Sequence, residues 1–307
     1  MSNVIDSIEY SRAFFELFEG AIYLHQARTY LVTRLDLGDF KAFAKPAKVD
    51  YHTSPSNTTD VMVVKKLESS ACQMIHTGCV DVVARVYGFH KIWLRSGIAF
   101  EHERCSLPPL EFSTRGFWID FKPALRAEVA KAGLDFQSGV HALSHLILSV
   151  APLYLLCDQA DIDCEHEWED ATRPRPQRLM IYDKRPGGIG VAQALFTQRK
   201  AVIAKACSVL RTCPCSEGCL GCIYSHKCGS QNVKLDKQAG RILLEGVLDE
   251  WKGCKDERDE EELAKAMSPR KKARVDLARG MDAARAKDIR VRARWIKSNR
   301  DFQPTFG

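Results

Sequence analysis

The chain has 307 residues, of which 45% are hydrophobic, with 45 Lys and Arg against 39 Asp and Glu and with twelve Cys. That length admits one large domain or two ordinary ones, and the apolar content rules out a disordered chain. Twelve thiols and no secretory signal in MSNVIDSIEYSRAFFELFEG exclude an exported disulfide scaffold and point to a reducing compartment, nuclear, or cytosolic in a bacterium.

Residues 1–19 set Ile5, Ile8, Phe15 and Leu17 among charged neighbours, a pattern that predicts a leading helix. After Gly20 the texture changes. AIYLHQARTYLVTRLDL, AKVDYHT, TDVMVVKKL, VDVVARVYGFHKIWL and TRGFWIDF are rich in Val, Ile and aromatics and are separated by turn residues. They predict an antiparallel β domain over 20–122, a small barrel or rolled sheet. Beyond Pro123 the period is helical. A helix over 123–132 precedes an apolar helix over 140–157, which is too short and too polar to span a bilayer. A polar loop follows, then the strand RLMIYD, the turn PGGIG at 186–190, and a helix from Val191 to Arg211. The last helix opens near Leu235-Asp236-Lys237, with Ala239, Ile242, Leu243, Val247 and Trp251 largely on one face. The fold class is therefore α+β, with a mainly helical, cysteine-bearing domain over 123–254 behind the β domain.

Residues 255–307 read as a charged, basic, flexible tail. From 268 to 300 twelve Lys and Arg face three Asp, a balance of +9 within a chain total of +6. The remainder is thus net acidic. The run PRKKAR, with Arg270, Lys271, Lys272 and Arg274, suits nucleic-acid phosphate or an import receptor.

The sharpest chemical signal is CPCSEGCLGCIYSHKC, which carries Cys213, Cys215, Cys219, Cys222 and Cys228. Such spacing lets one four-coordinate soft cation, Zn2+, collect four thiolates from a single loop, and thiolates alone imply a closed structural site. Loop strain favours Cys215, Cys219, Cys222 and Cys228, with Cys213 as the alternate, because a C-x-C pair on one ion is tight. Gly187, Gly188 and Gly190 in PGGIG are a phosphate-contact loop or, more simply, a strand-to-helix turn. His141 and His145, four apart on a helix, lack the glutamate of a metalloprotease and read as core or capping histidines. The acidic stretch from Asp158 to Glu167 lacks the central Gly and terminal Glu of a calcium loop.

Taken in order, GAIYLHQARTYLV, VDYHTSPSNTTDV, HALSHLILSVAPLYLLCDQADI, IYDKRPGGIGVAQALF and CPCSEGCLGCIYSHKCGSQNVKLDK resemble the C-terminal region of Hrq-type and MrfA-like, RecQ-family DExH-box DNA helicases, across roughly residues 5–252. One departure is Asp161-Ile162-Asp163-Cys164, where many relatives carry D-I-G-G. The resemblance implies that 123–254 is an MZB-type zinc-binding domain and that the parent enzyme is an ATP-dependent 3′-to-5′ repair helicase. The implied partners are DNA, single-stranded or forked, and the RecA-like lobes in cis or in trans, with no membrane. This stretch carries neither a Gly-Lys-Ser/Thr nor a DExH box, so it implies an accessory module, non-catalytic alone and part of a longer polypeptide or a separately encoded fragment.

Overall fold

The computed structural model describes residues 2–165, 178–226, 228, 231–253 and 288–294. The chain forms two units, divided within two long strands, β5 (Tyr51–Ser69) and β6 (Ile75–Trp93).

The first unit holds residues 1–56 and 86–107 together with a strand near the C-terminus. Its sheet runs in the order β1-β11-β4-β3-β2, with β1 Ser2–Glu9, β2 Ile22–His25, β3 Arg28–Asp36, β4 Lys41–Pro46 and β11 Asp288–Arg294. Two sequence expectations change here. The leading helix is instead strand β1 followed by a short helix, α1 (Tyr10–Glu16). Val4 pairs with Arg292 and Ile8 with Ile289, so a partner some 280 positions away decides the local structure over propensity. The second change lies inside the charged tail. DIRVRAR is a strand that lies antiparallel to β1 and parallel to β4, with Ile289 and Val291 fully buried. Phe14, Leu17, Phe18, Tyr30, Val32 and Phe89 complete that core. The far end of β6 pairs with β7 (Ala99–Arg104) in a hairpin.

The second unit's sheet takes its part of β5 and β6, then β8 (Leu110–Asp120), β10 (Arg178–Asp183) and β9 (Ile162–Cys164). Strands from both halves of the sequence therefore share one sheet, with Ile181 opposite Phe117. The architecture is mixed α/β: two sheets stand where one small barrel was expected, and the cysteine-bearing part combines helices with strands that join the second sheet. The cause is that β10, apolar on both faces, has to cover the β8 edge and the helices at once. Helices α2 (Pro123–Lys131), α3 (Phe136–Val150), α4 (Val191–Thr197), α5 (Arg199–Thr212) and α6 (Lys237–Gly253) belong to this unit.

Helix α3 is the axis of the core. Asp135 caps it by accepting the Ser138 N–H at 2.7 Å. Leu143, Leu146 and Ile147 are wholly buried. At Gly139 a Cβ would stand 2.8 Å from the Ala239 Cβ, so only glycine lets α3 and α6 approach this closely. That crossing brings the N-terminal turns of α3 and α6 up to the cysteine loop.

Candidate metal centre

Helix α5 ends at Thr212, and Cys213, in extended conformation, starts the loop. Four sulfurs converge. Cys213 Sγ lies 3.5 Å from both Cys215 and Cys219, Cys215 lies 3.5 Å from Cys222, and Cys219 lies 3.8 Å from Cys222. A tetrahedral ion with Zn–S bonds of about 2.3 Å needs sulfur separations of about 3.8 Å, so the donor set fits a four-thiolate zinc. The Cys219 N–H donates to Cys222 Sγ at 3.3 Å, which orients that sulfur. Gly218 takes φ +139°, and a Cβ there would meet Ile223 and Tyr224 below 3 Å.

Cys213 thus stands with Cys215, Cys219 and Cys222, and Cys228 does not. The expected strain of the C-x-C pair is absent because the extended backbone after α5 brings both sulfurs to one side of the chain. Cys228 sits instead beside His141, 3.6 Å from its Nε2. His226 is exposed on the loop.

The electrostatics of the four thiols are uneven. Cys213 is held down to about 7, first by the backbone N–H of Cys215 and then by its neighbouring thiols. Burial pushes Cys222 up to about 12. A divalent cation that gathers all four must therefore displace protons, which ties its affinity to pH. Lys237 supplies the balancing charge. Its ammonium donates to the carbonyls of Cys213 at 2.9 Å and Cys215 at 2.5 Å, and to Cys215 Sγ at 3.3 Å. Burial alone would lower the Lys237 pKa. The hydrogen bond and negative charge of the cysteines outweigh burial and raise it. Sequence reading passed over Lys237, although a cation opening a helix runs against the helix dipole and so signals a partner outside the helix.

The glycine turn is filled from within. The Asp183 carboxylate accepts the N–H groups of Ile189 (2.8 Å), Gly190 (2.9 Å) and Ala192 (2.7 Å). Gly187 and Gly188 donate to the Ser113 and Arg185 carbonyls. The amides a phosphate would need are occupied, which corrects the phosphate-contact reading of Gly187, Gly188 and Gly190. These glycines serve the turn, all with φ between +80° and +86°. Asp183 is wholly buried, and burial raises its pKa against the pull of those amides.

The acidic stretch folds on itself, with Asp158 and Asp161 accepting nearby backbone N–H groups and Lys184 pairing with Asp163 at 2.9 Å. His166, Glu167 and the basic run Arg270, Lys271, Lys272 and Arg274 lie outside the described residues. Among the described residues no helix is long and apolar enough to cross a membrane.

A sulfur cage of this size, closed by four thiolates and backed by a buried lysine, defines a structural zinc-binding domain. The family model of MZB, the MrfA Zn-binding domain, matches residues 143–223, from α3 through all four clustered cysteines. This stretch therefore carries an MZB-type zinc-binding domain. It is 28% identical over 260 residues to the ATP-dependent helicase Hrq1 of Saccharomyces cerevisiae, covering 80% of this chain and 24% of that protein. A protein of Methanocaldococcus jannaschii without an assigned role is 36% identical over 112 residues, covering 36% of this chain and 99% of its own length. The crystal structure of the DUF1998 helicase MrfA bound to DNA overlays with a TM-score of 0.47 and 24% identity, covering 78% of this chain and 31% of that chain. The chain spans about a quarter of the length of the curated helicases it matches.

Proposed function

We propose that this chain is the zinc-stabilised accessory part of a RecQ-like, ATP-dependent 3′-to-5′ DNA repair helicase, non-catalytic by itself, nuclear in a eukaryote and cytosolic in a bacterium. The observation that carries the reading is the Hrq1 alignment, in which four fifths of this chain corresponds to a quarter of a helicase. Cys213, Cys215, Cys219 and Cys222 would hold the zinc, which supplies cross-linking and charge neutralisation and no reactive position. The motor lobes, in cis or in trans, would supply the ATPase. The basic run at Arg270, Lys271, Lys272 and Arg274 has the composition to attract an import receptor or phosphate.

A single-strand contact has support in the first unit. At the β6–β7 hairpin, Trp93 and Phe100 stack with ring centroids 3.9 Å apart, Tyr51 meets both edge-on, and Lys91 lies over the Tyr51 ring. Phe100, Leu94 and Ile98 are exposed there. Exposed aromatics suit base stacking, while Lys91 is engaged by Glu101 and Glu103, so the contact would rest on the rings. Trp93→Ala in the full chain should weaken single-stranded DNA binding roughly five- to hundredfold, since stacking contributes about 1–3 kcal/mol per base. Fluorescence anisotropy with an oligonucleotide measures it, and unchanged affinity would remove the hairpin from the DNA site.

A docking role without DNA contact has its own support. Leu153, Tyr154 and Leu156 stand exposed in sequence after α3, an apolar cluster suited to the helicase lobes or a repair partner.

A further inference from the structure

We propose that His141, His145 and Cys228 form a second zinc site, separate from the four-cysteine cage. Their ligand atoms all lie within 4.8 Å of one another. The two histidines are one turn apart on α3, their rings edge to face with centroids 4.5 Å apart. Each ring turns its Nδ1 to a backbone carbonyl: His145 to Ile223 at 2.8 Å, His141 to Lys234 at 3.3 Å. A carbonyl only accepts, so both Nδ1 atoms carry the proton and both neutral rings present an Nε2 lone pair. This is the arrangement by which proteins fix the tautomer of a metal-binding histidine.

The orphan atom is His145 Nε2. The residue is 5% exposed, yet this nitrogen has no hydrogen-bond partner. A buried acceptor left empty is costly, and a cation is what a buried lone pair beside a second imidazole and a thiol would satisfy. The separation of Cys228 from His141 fits as well. Cys228 Sγ lies 3.6 Å from His141 Nε2, and a tetrahedral zinc with bonds of about 2.05 Å to nitrogen and 2.3 Å to sulfur sets that edge at about 3.6 Å.

On binding, Cys228 releases its thiol proton to solvent and coordinates as thiolate, while both imidazoles keep their Nδ1 protons. Three protein ligands leave a fourth position for water. The ion ties the loop after Cys222 to α3, on which the first cage does not draw. The site is independent of the helicase reading.

The test is zinc per chain by plasma mass spectrometry on the full, zinc-loaded protein after gel filtration. About two zinc ions per wild-type chain are expected, falling to about one in both His145→Ala and Cys228→Ser, with the sulfur-to-cobalt charge-transfer band of the cobalt-loaded cage retained. One ion in the wild type, unchanged in both variants, overturns the proposal. Should a variant unfold, cadmium-113 NMR of the wild-type chain decides. Two resonances, one all-sulfur and one of mixed nitrogen and sulfur, support it, and a single all-sulfur resonance overturns it.

Discussion

Cys213→Ser should lower the affinity of the four-sulfur cage for its ion more than about a hundredfold, because loss of a direct ligand exceeds the ten- to hundredfold cost of losing an outer partner. Cys228→Ser should leave that cage intact. The contrast follows from the sulfur positions: Cys213 sits 3.5 Å from two of the other three sulfurs, while Cys228 faces His141. The readout is the cobalt charge-transfer spectrum titrated against a competing chelator. The fold should respond in step. Ile223 and Cys222 are buried in the main core of the second unit, so a loop released from its ion withdraws part of that core, and metal binding contributes folding free energy directly. Equal losses from the two substitutions would return Cys228 to the cage.

Asp183→Ala should destabilise the protein by about 3–5 kcal/mol, seen as a lower denaturant midpoint in urea at fixed zinc. The substitution strips the acceptor from three N–H groups in the Ile189–Ala192 turn, each costing about 1–3 kcal/mol when buried and unsatisfied. Asp183→Asn keeps one acceptor oxygen in the same place and should lose less. A loss below about 1 kcal/mol for the alanine variant would mean that water replaces the carboxylate.

The strands and helices that were legible in the sequence are those whose partners lie nearby or whose apolar face is unbroken. The β2–β3 hairpin, α2 and α6 show a period of two or of 3.6, and β10 is a short, continuous apolar run. What escaped was set by distant pairing. Strand β1 takes its conformation from β11, and β11 hides its Ile289 and Val291 between arginines that read as a solvated tail. The zinc chemistry was visible in the cysteine spacing, but the choice between Cys213 and Cys228 was not, since it depends on where α5 ends and how the loop returns to α3. Asp183 was likewise invisible as an internal anion, because nothing local shows that a carboxylate at the end of a strand will bend back into the glycine turn that follows it.

The position of β11 also shapes the decisive experiment. Removing the C-terminal basic segment would take a strand out of the first unit's sheet, so charge should be removed and the chain left whole. The measurement is single-stranded DNA affinity at low and moderate salt for the full chain carrying Arg270→Ala, Lys271→Ala, Lys272→Ala and Arg274→Ala. If the folded body contacts DNA, binding persists within a few-fold at low salt and keeps a salt slope reduced only by the contacts removed. Complete loss of binding at low salt would contradict the DNA-contacting role and leave the docking role in its place.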